Sequence, residues 1–217
     1  MQAFADMVFL TGRRRALSMT LCLASAILCG ARPTAAAEAD PAATRIRSFY
    51  AVLLDTMKAA QRTPVRARYE KLEPAVRATF DLPAMTRIAV GPAWTSIAGD
   101  EQKALQEQFA RLTIATYANR FDGYSGERFE VEPATEVRGE NRIVRSALLK
   151  SHGGSVALNY LVHPVGGDWK AIDVYLNGTI SELATRRSEF GALLRAGGAP
   201  ALIDSLRERA DKLLQPG

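Results

Sequence analysis

Two short runs in the second half of the chain set the strongest limit on its fold. Val156, Leu158, Tyr160 and Val162 fall on alternate positions, and so do Ile172, Val174 and Leu176. A two-residue period is that of a β-strand burying one face. The other side of the second run is not polar, because Trp169, Ala171 and Tyr175 oppose it. A strand that is apolar on both sides must be covered on both, or must face an interior space. The rest of the fold has to supply that cover.

The flanking sequence supplies helices. Asp40-Pro41 reads as an N-cap followed by proline at the first helical position. Ile46, Phe49, Tyr50, Leu53, Leu54 and Met57 then recur at helical spacing. Thr63-Pro64 repeats the start signal, and a second helix runs through Tyr69, Leu72 and Val76 to about Phe80. Pro83 opens a short third helix with Met85 and Ile88, ending near Gly91-Pro92. Asp100 is expected to cap a long fourth helix, whose face carries Leu105, Phe109, Leu112, Thr116 and Arg120, widened by Tyr117 and Phe121. Four strand-like segments come next, at 127–138, 141–151, 154–163 and 168–177, separated by glycine-bearing turns. That spacing predicts an antiparallel meander. Thr179 to Glu182 has capping-box spacing, and two helices close the chain, separated by Gly197-Gly198. The expected fold class is α+β, with helices packed on a curved sheet.

The first forty residues read differently. Arg13, Arg14 and Arg15 precede an uncharged apolar run, Leu17 to Cys29, and Ala35-Ala36-Ala37 comes after Pro33. A basic region, a short apolar region and a small-residue site in that order predict a secretory signal peptide over 1–37 and a domain over 38–217. The run is short for a membrane span, which takes roughly 20 residues, so an uncleaved anchor is the weaker alternative. Cleavage would remove both cysteines, Cys22 and Cys29, and with them any disulfide or thiolate site. It would also remove four arginines and one aspartate, so the 28 basic and 23 acidic residues fall to 24 and 22. A near-neutral mixed surface argues against nucleic acid as a partner.

Catalytic apparatus is sparse. The two histidines, His152 and His163, lie on different expected strands with no acidic residue at metal-ligand spacing, so no metal is expected. Gly123-Tyr124-Ser125-Gly126 falls one residue short of a nucleophile elbow. No phosphate-binding glycine motif occurs, and no cofactor is implied. Asp173, inside an expected strand, could act as a general acid or base if burial raised its pKa, or could pair with arginine or cap backbone groups. Arg186-Arg187 could meet a phosphate or an acidic partner, or could simply form a solvated helix face. Asn177-Gly178-Thr179 matches a glycosylation sequon but reads better as a turn.

The segment Trp169-Lys170-Ala171-Ile172-Asp173-Val174-Tyr175, then Gly178, Ser181 and Arg187-Ser188-Glu189-Phe190, resembles the signature of the MlaC or toluene-tolerance family. Gly198 to Ile203 matches its next helical element, and Arg45, Tyr50 and Phe80-Asp81 are compatible with its N-terminal helices. The order across Leu176 to Glu182 departs from the usual one, and the stretch from Asp173 to Phe190 is most similar to the hopanoid-associated HpnM branch.

The resemblance implies a non-enzymatic lipid shuttle of the periplasm, with an NTF2-like sheet and helices around an apolar cavity. Its ligand would be a phospholipid or hopanoid. Its partners would be inner-membrane and outer-membrane transport complexes. On this resemblance Val156, Leu158, Tyr160, Val162, Ile172, Val174 and Leu176 would line the sheet side. Phe80, Met85, Ile88, Tyr117 and Phe121 would line the helix side. Two rival readings stay open: an enzyme using Asp173 in such a cavity, and an envelope adaptor with a filled core.

Overall fold

A computed structural model describes residues 40–215, all within the unit Glu38–Gly217. The proposed leader lies outside the described residues. Asp40 caps α1 (Pro41–Ala59), its carboxylate accepting from the Ala42 N–H at 2.9 Å. A 3₁₀ turn, Ala60–Arg62, leads to α2 (Val65–Thr79). Pro64 itself occupies the cap position there, and the Thr63 hydroxyl donates back to the Ala59 carbonyl instead of capping α2. Asp81 caps α3 (Leu82–Val90), accepting from the Ala84 N–H at 3.0 Å. The helix ends at Gly91, whose φ of +71° few other residues adopt. A second 3₁₀ turn, Gly91–Ser96, precedes α4 (Gly99–Arg120).

The N-cap of α4 is Ala98, so Asp100 does not cap it. Asp100 and Glu101 instead place negative charge in the first turn, where it complements the helix dipole. Leu105, Phe109, Leu112, Ile114, Ala115 and Ala118 of α4 are all buried, spread around the helix rather than on one stripe. Helices α2, α3 and α5 (Glu182–Leu213) pack against it. Arg68 of α2 ties this layer together. Its side chain is buried and donates to the Ala118 carbonyl at 2.9 Å and the Thr63 carbonyl at 2.6 Å.

The sheet is the expected antiparallel meander, with breaks. The first long strand divides into β1 (Arg128–Val131) and β2 (Glu136–Arg138). The second divides at Arg145 into β3 (Asn141–Val144) and β4 (Ser146–Leu149). β1 pairs with β4 and β2 with β3. Both β3 and β4 pair with the single long strand β5 (Ser155–Val165). β5 pairs on its other side with β6 (Asp168–Leu176), which carries the short β7 (Ile180–Ser181). The paired interruptions at 132–135 and Arg145 bend the sheet.

A β-bulge revises the reading of β6. Leu161 pairs with Asp173 but Val162 pairs with Ala171, which leaves Ile172 without a partner. The register therefore changes face at Ile172. Ala171, not Ile172, shares the face of Val162, Tyr160, Val174 and Leu176. A bulge inserts one residue in this way and re-aims the side chains beyond it.

The cap of α5 also falls later than expected. Ser181 accepts from the Ala184 N–H at 2.9 Å, so the cap is Ser181 rather than Thr179. Gly197 and Gly198 leave helical geometry, with Gly198 at φ +68°, and divide α5 into two arms as the sequence suggests. No helix among the described residues is long and apolar enough to cross a membrane.

Candidate functional site

The interior is built on aromatic rings from four elements. α1 presents Phe49 and Tyr50, one residue apart and both buried. Phe80 comes directly after α2, Tyr117 is on α4 and Tyr160 on β5. Phe49 meets Phe80 edge-on at 5.3 Å between ring centres and Tyr117 at 5.2 Å. Phe80 lies 5.7 Å from Tyr117 and 6.1 Å from Tyr160. Such offset and edge-to-face pairs add roughly 0.5–1.5 kcal/mol each beyond the burial of area. Burial raises the hydroxyl pKa of Tyr50, Tyr117 and Tyr160 above the ordinary 10.0, so all three are neutral phenols.

The cluster continues to the surface. Tyr50 stacks on Phe129 of β1 at 4.2 Å, and Phe129 lies 6.2 Å from Phe121, which itself stacks on Tyr117 at 5.8 Å. Tyr50 and Phe129 also form part of the wall of an open cleft of about 1080 Å³. Arg47, Ala51 and Leu54 of α1 line one side of it, and Glu130 to Pro133 another. Arg145 to Ala147, Ala157, Asn159 and the turn at Gly178-Thr179 complete it. The cleft lies where the sheet bends, because Glu132 donates its N–H to the Arg145 carbonyl at 3.0 Å across the two interruptions. Arg47 donates to the Glu132 carbonyl at 3.2 Å and so holds α1 against the same loop. Buried polar groups beside the cleft are satisfied. The Tyr50 and Ser146 hydroxyls are 2.7 Å apart, and Ser146 donates to the Leu158 carbonyl.

The residues expected to line a cavity fall into three groups. Phe80, Tyr117 and Tyr160 meet in the aromatic cluster, which Phe121 extends. Val156, Leu158, Val162, Val174 and Leu176 are buried and share the Tyr160 face of the sheet, and Met85 is buried on α3. Ile172 occupies the bulge, and Ile88 is 41 % exposed on α3, so neither joins this face. None of the twelve lines the open cleft. Tyr50 and Phe129, which connect the cleft to the interior, are the functional candidates that the sequence alone did not single out. The helical face of α1 and the position of Phe129 beside a glycine turn were the available signals.

Asp173 is buried at 7 % exposure and fully engaged. Its carboxylate accepts from the Ser181 hydroxyl at 2.5 Å, from the Val174 N–H at 2.8 Å and from the Leu183 N–H at 3.1 Å. Burial pushes its pKa up while these three bonds oppose the shift. The carboxylate thus fastens the start of α5 to β6, which is a backbone-capping role. His163 faces Asp81 at 3.0 Å, joining β5 to the cap of α3. Arg186 stacks over Phe109 at 5.6 Å, and burial lowers its pKa against the opposing pull of Glu182 and Glu189. Arg187 lies beside Gly91. Among the described residues, no group of three or more metal-ligating side chains comes together.

Together these features define a class: a small α+β protein whose helices cover a bent antiparallel meander, with a packed aromatic interior whose Tyr50 ring, stacked on Phe129, also walls an open cleft. Residues 48–208 match the family described as MlaC protein, and the chain belongs to that family. It is similar to the toluene tolerance protein ttg2D of Pseudomonas putida, at 27 % identity over 79 residues. That match covers 36 % of this chain and 37 % of the relative, so the chain spans little more than a third of that protein's length. A phospholipid-binding protein from Ralstonia solanacearum, solved in complex with a phospholipid, superposes with a TM-score of 0.71 at 22 % identity. The superposition covers 81 % of this chain and all of the other, and it establishes the shared fold.

Proposed function

We propose that this protein is a periplasmic lipid carrier. It binds a phospholipid or hopanoid-type lipid and shuttles it between inner-membrane and outer-membrane complexes, after residues 1–37 have directed export and been removed. One observation carries the reading: the open cleft of about 1080 Å³ shares Tyr50 and Phe129 with the buried aromatic cluster. Small-molecule pockets span roughly 300–1,000 Å³, so this one suits a large amphiphile. An apolar tail needs no directional contacts, because each buried methylene contributes about 0.8 kcal/mol. The route for such a tail runs past Phe129 and Tyr50 toward Phe121, Tyr117, Phe80 and the Val156–Leu158–Tyr160 face. Met85, Val162, Val174 and Leu176 back that route.

The neighbour solved with a phospholipid and the family membership both support a lipid ligand. The similarity of Asp173 to Phe190 to the hopanoid-associated branch supports a hopanoid as the alternative lipid. The close ring packing around Phe49 favours a second reading, an adaptor with a filled core. Native mass spectrometry separates the two. A carrier releases a co-purified lipid on activation. An adaptor shows the bare polypeptide mass and takes up no lipid from vesicles.

A further inference from the structure

The corner where α3 runs into the second 3₁₀ turn is uncharged from Ile88 to Gly99. Ile88 is 41 % exposed, Pro92 is exposed, and Trp94 and Ile97 are half-buried. None of these residues lines the open cleft. A single exposed apolar side chain is ordinary, so Ile88 alone would mean little.

The polar groups of this corner set it apart. Thr95 and Ser96 are exposed, yet both hydroxyls turn back to the chain. Thr95 donates to the Pro92 carbonyl at 3.3 Å and Ser96 to the Ala93 carbonyl at 2.8 Å. The Gln102 amide, from the first turn of α4, donates to the carbonyls of Trp94 at 2.8 Å and Ile97 at 3.1 Å. At the surface water would satisfy such groups. Paired within the chain, they leave water without the cost of an unmade hydrogen bond.

Two cations flank the corner. Arg87 is exposed in the last turn of α3. Arg187 is exposed on α5, and its guanidinium lies against Gly91, 2.8 Å from where a Cβ would stand. Among the described residues neither makes an ion pair or a side-chain hydrogen bond. Asp100 and Glu101 close the uncharged run on the α4 side, so the cationic rim lies on the α3–α5 side. A protein partner would offer donors and acceptors to free polar groups, and those of this turn are already taken. A lipid surface asks for an apolar body, an aromatic ring at headgroup depth and arginines at the rim.

We infer that the Ile88–Ile97 corner is a contact surface for an anionic membrane. Ile88, Pro92 and Trp94 enter the headgroup region, and Arg87 and Arg187 face the negative lipid surface. This goes beyond the carrier reading and does not depend on the cleft. The corner holds the protein at a bilayer whether or not a lipid occupies the interior.

The protein supplies its own probe. Its two tryptophans are Trp94 and Trp169, and Trp169 lies against Arg142 on β6. Trp169→Phe leaves Trp94 as the sole emitter, so the signal is local to this corner whatever else the chain touches. The variant is titrated with vesicles of equal parts phosphatidylglycerol and phosphatidylcholine, the latter brominated on its acyl chains. Trp94 emission is expected to move to the blue and to be quenched, and to change little with brominated phosphatidylcholine alone. Adding Arg87→Gln and Arg187→Gln is expected to weaken binding to the anionic vesicles about twentyfold. Both positions are exposed, and circular dichroism verifies that the fold is kept. Trp94→Phe, which leaves Trp169, is expected to show no quenching. Trp94 emission that neither shifts nor is quenched overturns the inference and leaves a protein partner for this corner. Equal quenching of Trp94 and Trp169, or an unchanged affinity in the arginine variant, overturns it as well. The carrier reading stands or falls separately, on lipid loading and transfer.

Discussion

Truncating Phe49 to alanine separates a packed interior from one that merely borders space. The ring is 2 % exposed and meets Phe80 and Tyr117 edge-on at 5.3 and 5.2 Å. Phe→Ala at a packed site costs about 3–5 kcal/mol through lost transfer energy and the cavity left behind. Two edge-to-face partners place this site toward the middle of that span, near 4 kcal/mol. For a domain of this size each kcal/mol lowers the melting temperature by roughly 2–4 °C, so Phe49→Ala should melt about 8–16 °C below wild type. Phe49→Leu keeps an apolar side chain and loses the ring contacts, and should cost about 1–2 kcal/mol. Urea unfolding of the delipidated protein, monitored by tryptophan fluorescence, measures both. A cost below about 1 kcal/mol for Phe49→Ala refutes the reasoning, because the ring would then lack the partners described.

Three further perturbations probe the ties that hold the fold. Asp173→Asn should destabilise by about 1–2 kcal/mol, since it weakens the acceptor for Ser181, Val174 and Leu183. The folded pKa of Asp173 is raised above the ordinary 3.8, so wild type gains stability as pH falls toward 3.8 and the deficit of the variant should widen in acid. Asp40 behaves oppositely. Burial raises its pKa, but bonds from Thr135, the Ala42 N–H and Arg142 outweigh this and lower it. Its contribution is therefore present above 3.8 and lost as pH falls through the lowered value, so Asp40→Asn should cost about 1 kcal/mol at neutral pH and nothing in strong acid. Gly91→Ala should cost about 1–3 kcal/mol in thermal unfolding, because φ is +71° and a Cβ would lie 2.8 Å from the Arg187 guanidinium, which must move aside.

Local signals were legible in the sequence where a residue acts on its own neighbours. Asp40-Pro41 starts α1 because a side-chain oxygen reaches the N–H two residues on, and Pro83 marks the start of α3, although its cap, Asp81, was not singled out. Gly197-Gly198 interrupts α5 because glycine relaxes the backbone limit there. The meander was legible from alternation and glycine-bearing turns. Features set by a partner far along the chain were not. The bulge at Ile172 arises from pairing with β5, and alternation within β6 gives no sign of it. Thr179 and Ser181 both have a hydroxyl near the start of α5, and only the path of the chain after Leu176 selects Ser181. Arg142 stacks over Trp169 at 4.9 Å and pairs with Asp40, which joins three segments that no spacing rule connects. The cleft was hidden for the same reason: α1, β1, β4, β5 and the β6–β7 turn meet there only in the folded chain.

The family and the fold are established by the match over 48–208 and by the superposition on a phospholipid-binding protein. The proposed carrier role rests on the cleft and the interior it opens on. Transfer of labelled phospholipid from donor to acceptor vesicles, measured against protein concentration, tests it most directly. A carrier raises the transfer rate in proportion to its concentration, and widening of the Tyr50–Phe129 wall by Phe129→Ala changes that rate without unfolding the protein. Transfer no faster than the protein-free rate, from a correctly folded protein, contradicts the account.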